Sequence, residues 1–304
     1  MKPYICIHGH FYQPPRENPW LDIVEPQDSA SPWHDWNERV TAECYAPNAA
    51  ARILAEDGRI VAIRKNYARM SFNMGPTLLT WMERARPDVY RAIIEADAEG
   101  MERFSGHGPA LAQAYGHAIL PLATARDRHT QIVWGIRDFE RRFGRFPEGM
   151  WLPETAADTP TLEALAGEGI RFTILAPRQA SAVRDPNGGK WEDVTGERIG
   201  IGCPYLCPLP SGRSMTLFFY DGPLSRDIAF GPLLRNGGDL ARRLIEGGRS
   251  LPRRSGSAAA SPLEVVALDG ETFGHHHIYG DMALAYCLDL VENGQEATLT
   301  VFGE

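Results

Sequence analysis

The sequence predicts an α/β fold built as one barrel. Apolar runs of strand length alternate with segments of helical period along the chain, which implies βαβ units and a mainly parallel sheet. Roughly seven such units are expected, which suits one large barrel better than two separate domains. No internal repeat is present, and the 304 residues fit the length of such a barrel.

The elements follow in order. Residues 4–8 (Tyr-Ile-Cys-Ile-His) form an apolar run of strand length, and the Ala-rich stretch 39–56 reads as a helix. Residues 69–72 give a second strand, followed by helices at 76–83 and 89–96. In 126–143, Ile132, Ile136, Phe139 and Phe143 recur at spacings of four, three and four, one face of a helix that stops at Gly144. Strands at 149–152 and 171–175 flank a helix at 159–166. Residues 215–220 and 263–268 are rich in β-branched and aromatic side chains and read as strands. A helix at 281–291 closes the pattern. Two stretches read as irregular: 183–202, rich in Gly, Asp and Pro, and 249–262, a low-complexity run expected to be a flexible insertion.

Composition narrows the function. Apolar residues make up 43% and charged residues 23%, enough for a sizeable core and too little charge for disorder. The formal charge of −8 argues against nucleic acid or an anionic membrane as partner. No apolar run approaches the ~20 residues of a membrane span. The five cysteines are odd in number and irregularly spaced, so no disulfide framework is expected, and a reducing, cytoplasmic setting follows. Cys203 and Cys207 lack a second pair to complete a zinc site.

In barrels, functional residues sit at the C-terminal ends of strands. Several predicted strands here end in ionisable groups: His8-Gly-His10 after the first, Trp151-Leu-Pro-Glu154, Phe219-Tyr-Asp221, and Asp269-Gly-Glu271 followed by His275, His276 and His277. Singly, each has an ordinary structural explanation. Pro-Glu caps helices, Asp-Gly is a common turn, three adjacent histidines cannot all face one way, and His117 reads as a hydrogen-bonded core histidine. Together they make the set that glycosidic bond cleavage needs. One carboxylate attacks the anomeric carbon, a second carboxyl protonates the leaving oxygen, and aromatic faces stack on sugar rings.

Those same residues resemble a known family. His8-Gly-His-Phe-Tyr-Gln-Pro14, Gly149-Met-Trp-Leu-Pro-Glu154 and Asp269-Gly-Glu-Thr-Phe-Gly-His-His276 are similar, in order and spacing, to signature regions of glycoside hydrolase family 57. Residues 71–77 and 115–121 also resemble family segments. The resemblance implies a distorted seven-stranded (β/α) barrel that acts on α-glucans with retention of configuration and without a cofactor or metal. It implies Glu154 as nucleophile and Asp269 as general acid/base, with His8, His10 and Trp151 lining the sugar subsite. Asp221, Glu271 and His275 are further expected substrate contacts. Family members often carry a glutamate in the stretch equivalent to 106–111; here it is absent, and His107 is expected in its place. A further family region, C-terminal to the barrel, is not found before Glu304. Residues 1–304 are therefore expected to be one catalytic barrel, cut short at its C-terminal end.

Two other classes compete with a hydrolase or glucanotransferase. A metal-dependent polysaccharide deacetylase would use His8, His10, Asp269 or His275 and His276 as zinc ligands, but gives Trp-Leu-Pro-Glu no role. A non-catalytic glycan-binding relative would have no use for both carboxylates.

Overall fold

The computed structural model describes residues 2–251 and 261–304. Its central strands, in chain order, are β1 (Tyr4–Phe11), β2 (Ser71–Met74), β3 (Ala110–Gln113), β4 (Met150–Trp151), β5 (Phe172–Leu175), β6 (Ser214–Phe219) and β7 (Leu263–Asp269). A continuous parallel sheet runs β7-β1-β2-β3-β4. One parallel bridge, Gly149 to Phe172, carries it to β5, which pairs in parallel with β6. Across the seam between β6 and β7 the amide of Asp221 donates to the carbonyl of Val265 at 2.7 Å. The result is a distorted barrel, tightly paired over half its circumference and loosely over the rest. Gly149 allows the β4–β5 approach, since a Cβ there would lie 2.1 Å from the Phe172 ring.

The two-residue side-chain period of a strand sorts the barrel into an outer and an inner face. Ile5, Ile7, Phe72, Ala112, Met150, Leu217, Val266 and Leu268 face outward into the main core, against the surrounding helices. These include Pro76–Ala85, Pro87–Arg103, Ala125–Phe143, Thr159–Gly167, Gly237–Ser250 and Gly280–Asn293. The inner face begins with a small apolar cluster of Cys6, Leu111, Phe172, Ile174, Phe218, Val265 and Ala267, joined by Phe302. The chain near Phe302 reaches that position through Thr298–Leu299, which pairs with the start of β1. Further along the same inner face come His8, His10, Asn73, Gln113, Trp151 and Asp269. The register sets His10 level with Asp269 on one neighbouring strand and with Asn73 on the other.

Several expectations are corrected. The helix expected over 39–56 begins at Trp36, includes a π-helical turn at Thr41–Tyr45 and ends at Ala49. Ala51–Leu54 instead pairs antiparallel with Ile60–Arg64, where Asp57 and Gly58 supply the turn. The strand β3 was not expected, because Ala-Leu-Ala-Gln has little β propensity; burial of all four residues holds it in the sheet. The helices Gly222–Phe230 and Gly237–Ser250 were also missed. Each begins with Gly and has a cap, Asp221 accepting from the amide of Leu224 and Asn236 from those of Gly238 and Asp239. Most of the insertion expected at 249–262 lies outside the described residues.

Candidate active site

At the C-terminal mouth of the barrel lies a cavity of about 890 Å³, whose walls include His10, Trp151, Glu154, Arg178, Tyr220, Arg226, Asp269 and His276. The two carboxyls expected to carry the chemistry thus share one cavity. Each is delivered by a strand end, Glu154 from just past β4 and Asp269 as the last residue of β7.

Glu154 sits in the left-handed region at φ 57°, ψ 19°, and Thr155 follows at φ 51°. Neither is glycine, and Thr is β-branched, so the surrounding structure must hold two unfavourable backbone conformations. The amide of Thr155 donates to the carbonyl of Leu152 at 2.9 Å. Its carbonyl accepts from the Gln179 side chain at 2.7 Å. Gln179 in turn accepts from the amide of Ala176 at 2.7 Å, so the turn after β5 braces the one after β4. Asp269 is open to the cavity at its tip, while protein on its other sides withdraws water. Burial pushes its carboxyl pKa above the usual range; His276 opposes that shift, and the nearby negative charge of Glu154 adds to it.

Behind these carboxyls runs a buried polar network. His8 is fully buried; its Nδ1 lies 3.0 Å from Ser71 Oγ and its Nε2 3.0 Å from Asn73 Oδ1. Asn73 Nδ2 is 2.8 Å from His10 Nδ1, and the Asn73 amide also bonds Gln113. His10 Nε2 is 2.9 Å from His117 Nε2. Trp151 stacks on both imidazoles, at centroid distances of 4.8 Å to His8 and 5.3 Å to His10. His8 and His10 therefore commit both ring nitrogens to the protein; His10 reaches the cavity wall, whereas His8, expected to line the sugar subsite, is fully buried behind it and supports Trp151. Burial holds both pKa values down, to about 3, so both are neutral at pH 7.

The other expected site residues are distributed differently. Glu271 is buried behind the cavity, accepting from Tyr45 Oη at 2.5 Å and from the Tyr12 amide at 3.0 Å, and burial raises its pKa to about 7. It ties the loop after β7 to the loop after β1. His275 lies 2.5 Å from Glu43 and His277 bonds the carbonyl of Ala229 at 2.8 Å; of the three adjacent histidines, His276 is the one on the cavity wall. Asp221 spends its carboxylate on the amide of Leu224 at 2.8 Å. His107 precedes β3, at the opposite end of the barrel, where it pairs with Glu148 at 2.9 Å. It does not replace a glutamate at the sugar site.

His117, read from sequence as a core histidine, stands instead at the site. It is half-buried in the left-handed region at φ 55°, stacks on Tyr12 with centroids 3.9 Å apart, and feels the charges of both Glu154 and Asp269. Asn73 and Gln113 were missed as well; their inward register, Asn73 level with His10 and Gln113 level with Trp151, is the signal that could have found them. The histidines and Asp269 named as possible zinc ligands do not converge. Among the described residues, the group of three or more potential ligands that does converge is His34, Asp35 and Glu38, in a surface turn. A second cavity of about 710 Å³ lies beyond Gln179, walled by Trp191, Tyr205, Leu206 and Phe219, and holds none of the expected catalytic residues.

Comparison with known proteins places this arrangement. The family described as Glycosyl hydrolase family 57 matches residues 30–301. Among curated proteins, alpha-amylase 1 of Dictyoglomus thermophilum is 28% identical over 120 residues, 39% of this chain and 16% of the amylase. Among solved structures, the alpha-amylase AmyC of Thermotoga maritima superposes with a TM-score of 0.68 at 15% identity, covering 100% of this chain and 74% of that one. The 4-alpha-glucanotransferase of Thermococcus litoralis gives 0.67 at 18% identity, covering 100% of this chain and 40% of that one. The chain thus spans well under half the length of that glucanotransferase, and its match covers about a sixth of the curated amylase.

Proposed function

The chain belongs to glycosyl hydrolase family 57, and from that premise we propose that it cleaves or transfers α-glucosyl units of an α-glucan with retention of configuration. Glu154 is the nucleophile and Asp269 the general acid/base. The observation that carries the reading is their shared cavity, with Asp269 held toward its protonated form by burial and by the charge of Glu154.

The chemistry follows from those positions. Asp269 gives its proton to the glycosidic oxygen as the bond to the anomeric carbon breaks, and the Glu154 carboxylate attacks that carbon, forming a glycosyl ester. Once the leaving sugar departs, the Asp269 carboxylate takes a proton from water or from the hydroxyl of another sugar. That oxygen displaces Glu154 and restores the anomeric configuration. Water gives hydrolysis, and a sugar hydroxyl gives transfer. Trp151 supplies an aromatic face beside the reacting ring, and its orientation is set by stacking on His8 and His10.

Incubation with maltoheptaose, followed by product sizing and proton NMR of the first-formed anomer, tests the reading. Shorter maltooligosaccharides indicate hydrolysis, and a ladder including longer chains indicates transfer. Initial release of the β-anomer, or no change in the substrate, overturns it.

A further inference from the structure

The three adjacent histidines after β7 are arranged as a clamp and a presented group. On one side His275 Nδ1 is fixed 2.5 Å from Glu43 Oε2, in the π-helical turn that follows β1. Its backbone amide donates to the carbonyl of Glu271 at 3.0 Å. On the other side His277 Nε2 is bonded to the carbonyl of Ala229 at 2.8 Å, in the helix that follows β6. The loop is thereby stretched between the two elements that flank β7 and its neighbours. Gly274 lets it lie flat against the first of them: its φ is +147°, and a Cβ there would sit 2.2 Å from the carbonyl oxygen of Glu43. His276 lies between the two anchored histidines, exposed on the cavity wall with Asp269. Among the described residues neither of its ring nitrogens is hydrogen-bonded to protein.

This contrasts with His8 and His10, whose ring nitrogens are all committed to the protein. A glucan presents hydroxyls that need donors and acceptors, and a neutral imidazole supplies one of each. His276 is also coupled electrostatically to Asp269, the acid placed here at the leaving oxygen. We propose that His276 is a further substrate-contacting residue, hydrogen-bonding a hydroxyl of the glucan on the Asp269 side of the cavity, and that His275 and His277 are positioning residues that present it. This inference rests on the α-glucan reading above.

The test measures kcat and KM for maltoheptaose with wild type, His276→Ala and His276→Gln. Loss of one substrate hydrogen bond raises KM about tenfold in His276→Ala, with a smaller change in kcat, and His276→Gln, which keeps an N–H donor, recovers part of the loss. KM within twofold of wild type in His276→Ala, with wild type active, overturns the contact and leaves the α-glucan reading standing. Wild type that neither turns over nor binds maltoheptaose overturns the reading itself. A measurement independent of the variants' folding uses Glu154→Gln protein, in which maltoheptaose is expected to shift the ring nitrogen resonances of His276. Unmoved resonances at saturating ligand overturn the contact.

Discussion

The Nε2 atoms of His10 and His117 lie 2.9 Å apart, a distance that requires one of them to carry a proton and the other a lone pair. A doubly protonated pair has no acceptor and must separate. With His8 and His10 both held to a pKa of about 3 by burial, the folded network exists only while these rings are neutral. Their folded pKa values are depressed below the unfolded value of 6.5, so the stability they contribute is present above pH 6.5 and is lost as pH falls toward 3. Thermal melts from pH 7 to pH 4 are expected to show a steady fall in Tm, with about two protons taken up on unfolding near pH 5 from this pair. A Tm that is flat over that interval contradicts the buried neutral network.

Removing either carboxyl separates chemistry from folding. Glu154→Gln and Asp269→Asn are each expected to lower kcat by a factor on the order of 10²–10⁴ or more, because both side chains face the cavity and neither supports the core. Chemical denaturation of both variants should stay close to wild type. The pH profile of kcat/KM is expected to fall on its alkaline side as Asp269 deprotonates. That limb lies above the usual carboxylate range, because burial and then Glu154 raise this group. Wild-type turnover in either variant removes the assignment.

The sequence carried the parts of this site that are chemically distinctive and strand-borne. His8, His10, Trp151, Glu154 and Asp269 were legible because an apolar run ends and an ionisable or aromatic residue follows. Asn73, Gln113 and His117 were not, since amides and a lone histidine look the same in a surface loop. What makes them part of the site is the register that sets Asn73 level with His10, and Gln113 level with Trp151. Glu271 and His275 were legible as polar strand-end residues but not as buried tie and clamp, because those roles depend on Tyr45 and Glu43, more than 200 positions away. Asp221 was not legible as a cap because the helix it caps, through the amide of Leu224, opens on glycine. The fold was lost locally where β3 is made of residues with weak strand preference and where two helices open on glycine.

Glu264 offers a separate handle on stability. It lies on the outward face of β7, fully buried, with neither carboxyl oxygen hydrogen-bonded among the described residues. A Cβ on Gly247 of the covering helix would lie 2.7 Å from its Oε2. Burial first, and then the charge of Asp221, raise its pKa from 4.5 to about 8, against the opposing pull of Arg243. A carboxyl whose folded pKa is raised stabilises fully below its unfolded pKa and loses that stabilisation as pH rises through the folded value. Each pH unit inside that window costs up to about 1.4 kcal/mol. Glu264→Gln removes the titration while keeping the shape. Its unfolding free energy is expected to match wild type near pH 5 and to exceed it by pH 9; parallel curves for the two proteins would mean that Glu264 does not titrate in this way.

The backbone at Glu154 and Thr155 links a strain to the placement of the proposed nucleophile. Two successive non-glycine residues in the left-handed region cost about 1–2 kcal/mol each, and the Gln179 side chain, through its 2.7 Å bond to the Thr155 carbonyl, is one of the groups that hold them there. Gln179 lies in the turn Pro177–Gln179 after β5, where it also accepts from the amide of Ala176. It is not itself on the wall of the cavity that holds Glu154, so its loss acts through the geometry of the two turns it joins. With the bond gone, the Glu154 carboxylate samples orientations away from the anomeric carbon, and reaction suffers more than binding. Gln179→Ala is therefore expected to lower kcat about tenfold or more while KM stays within about twofold. Thr155→Gly addresses the other side of the same relationship. It relieves a β-branched residue at φ 51°, so unfolding stability should hold or rise despite the lost side chain, while kcat falls because the turn is no longer fixed. If Gln179→Ala instead raises KM in proportion to any loss in kcat/KM, the residue supports substrate binding and the strained turn does not govern the proposed nucleophile.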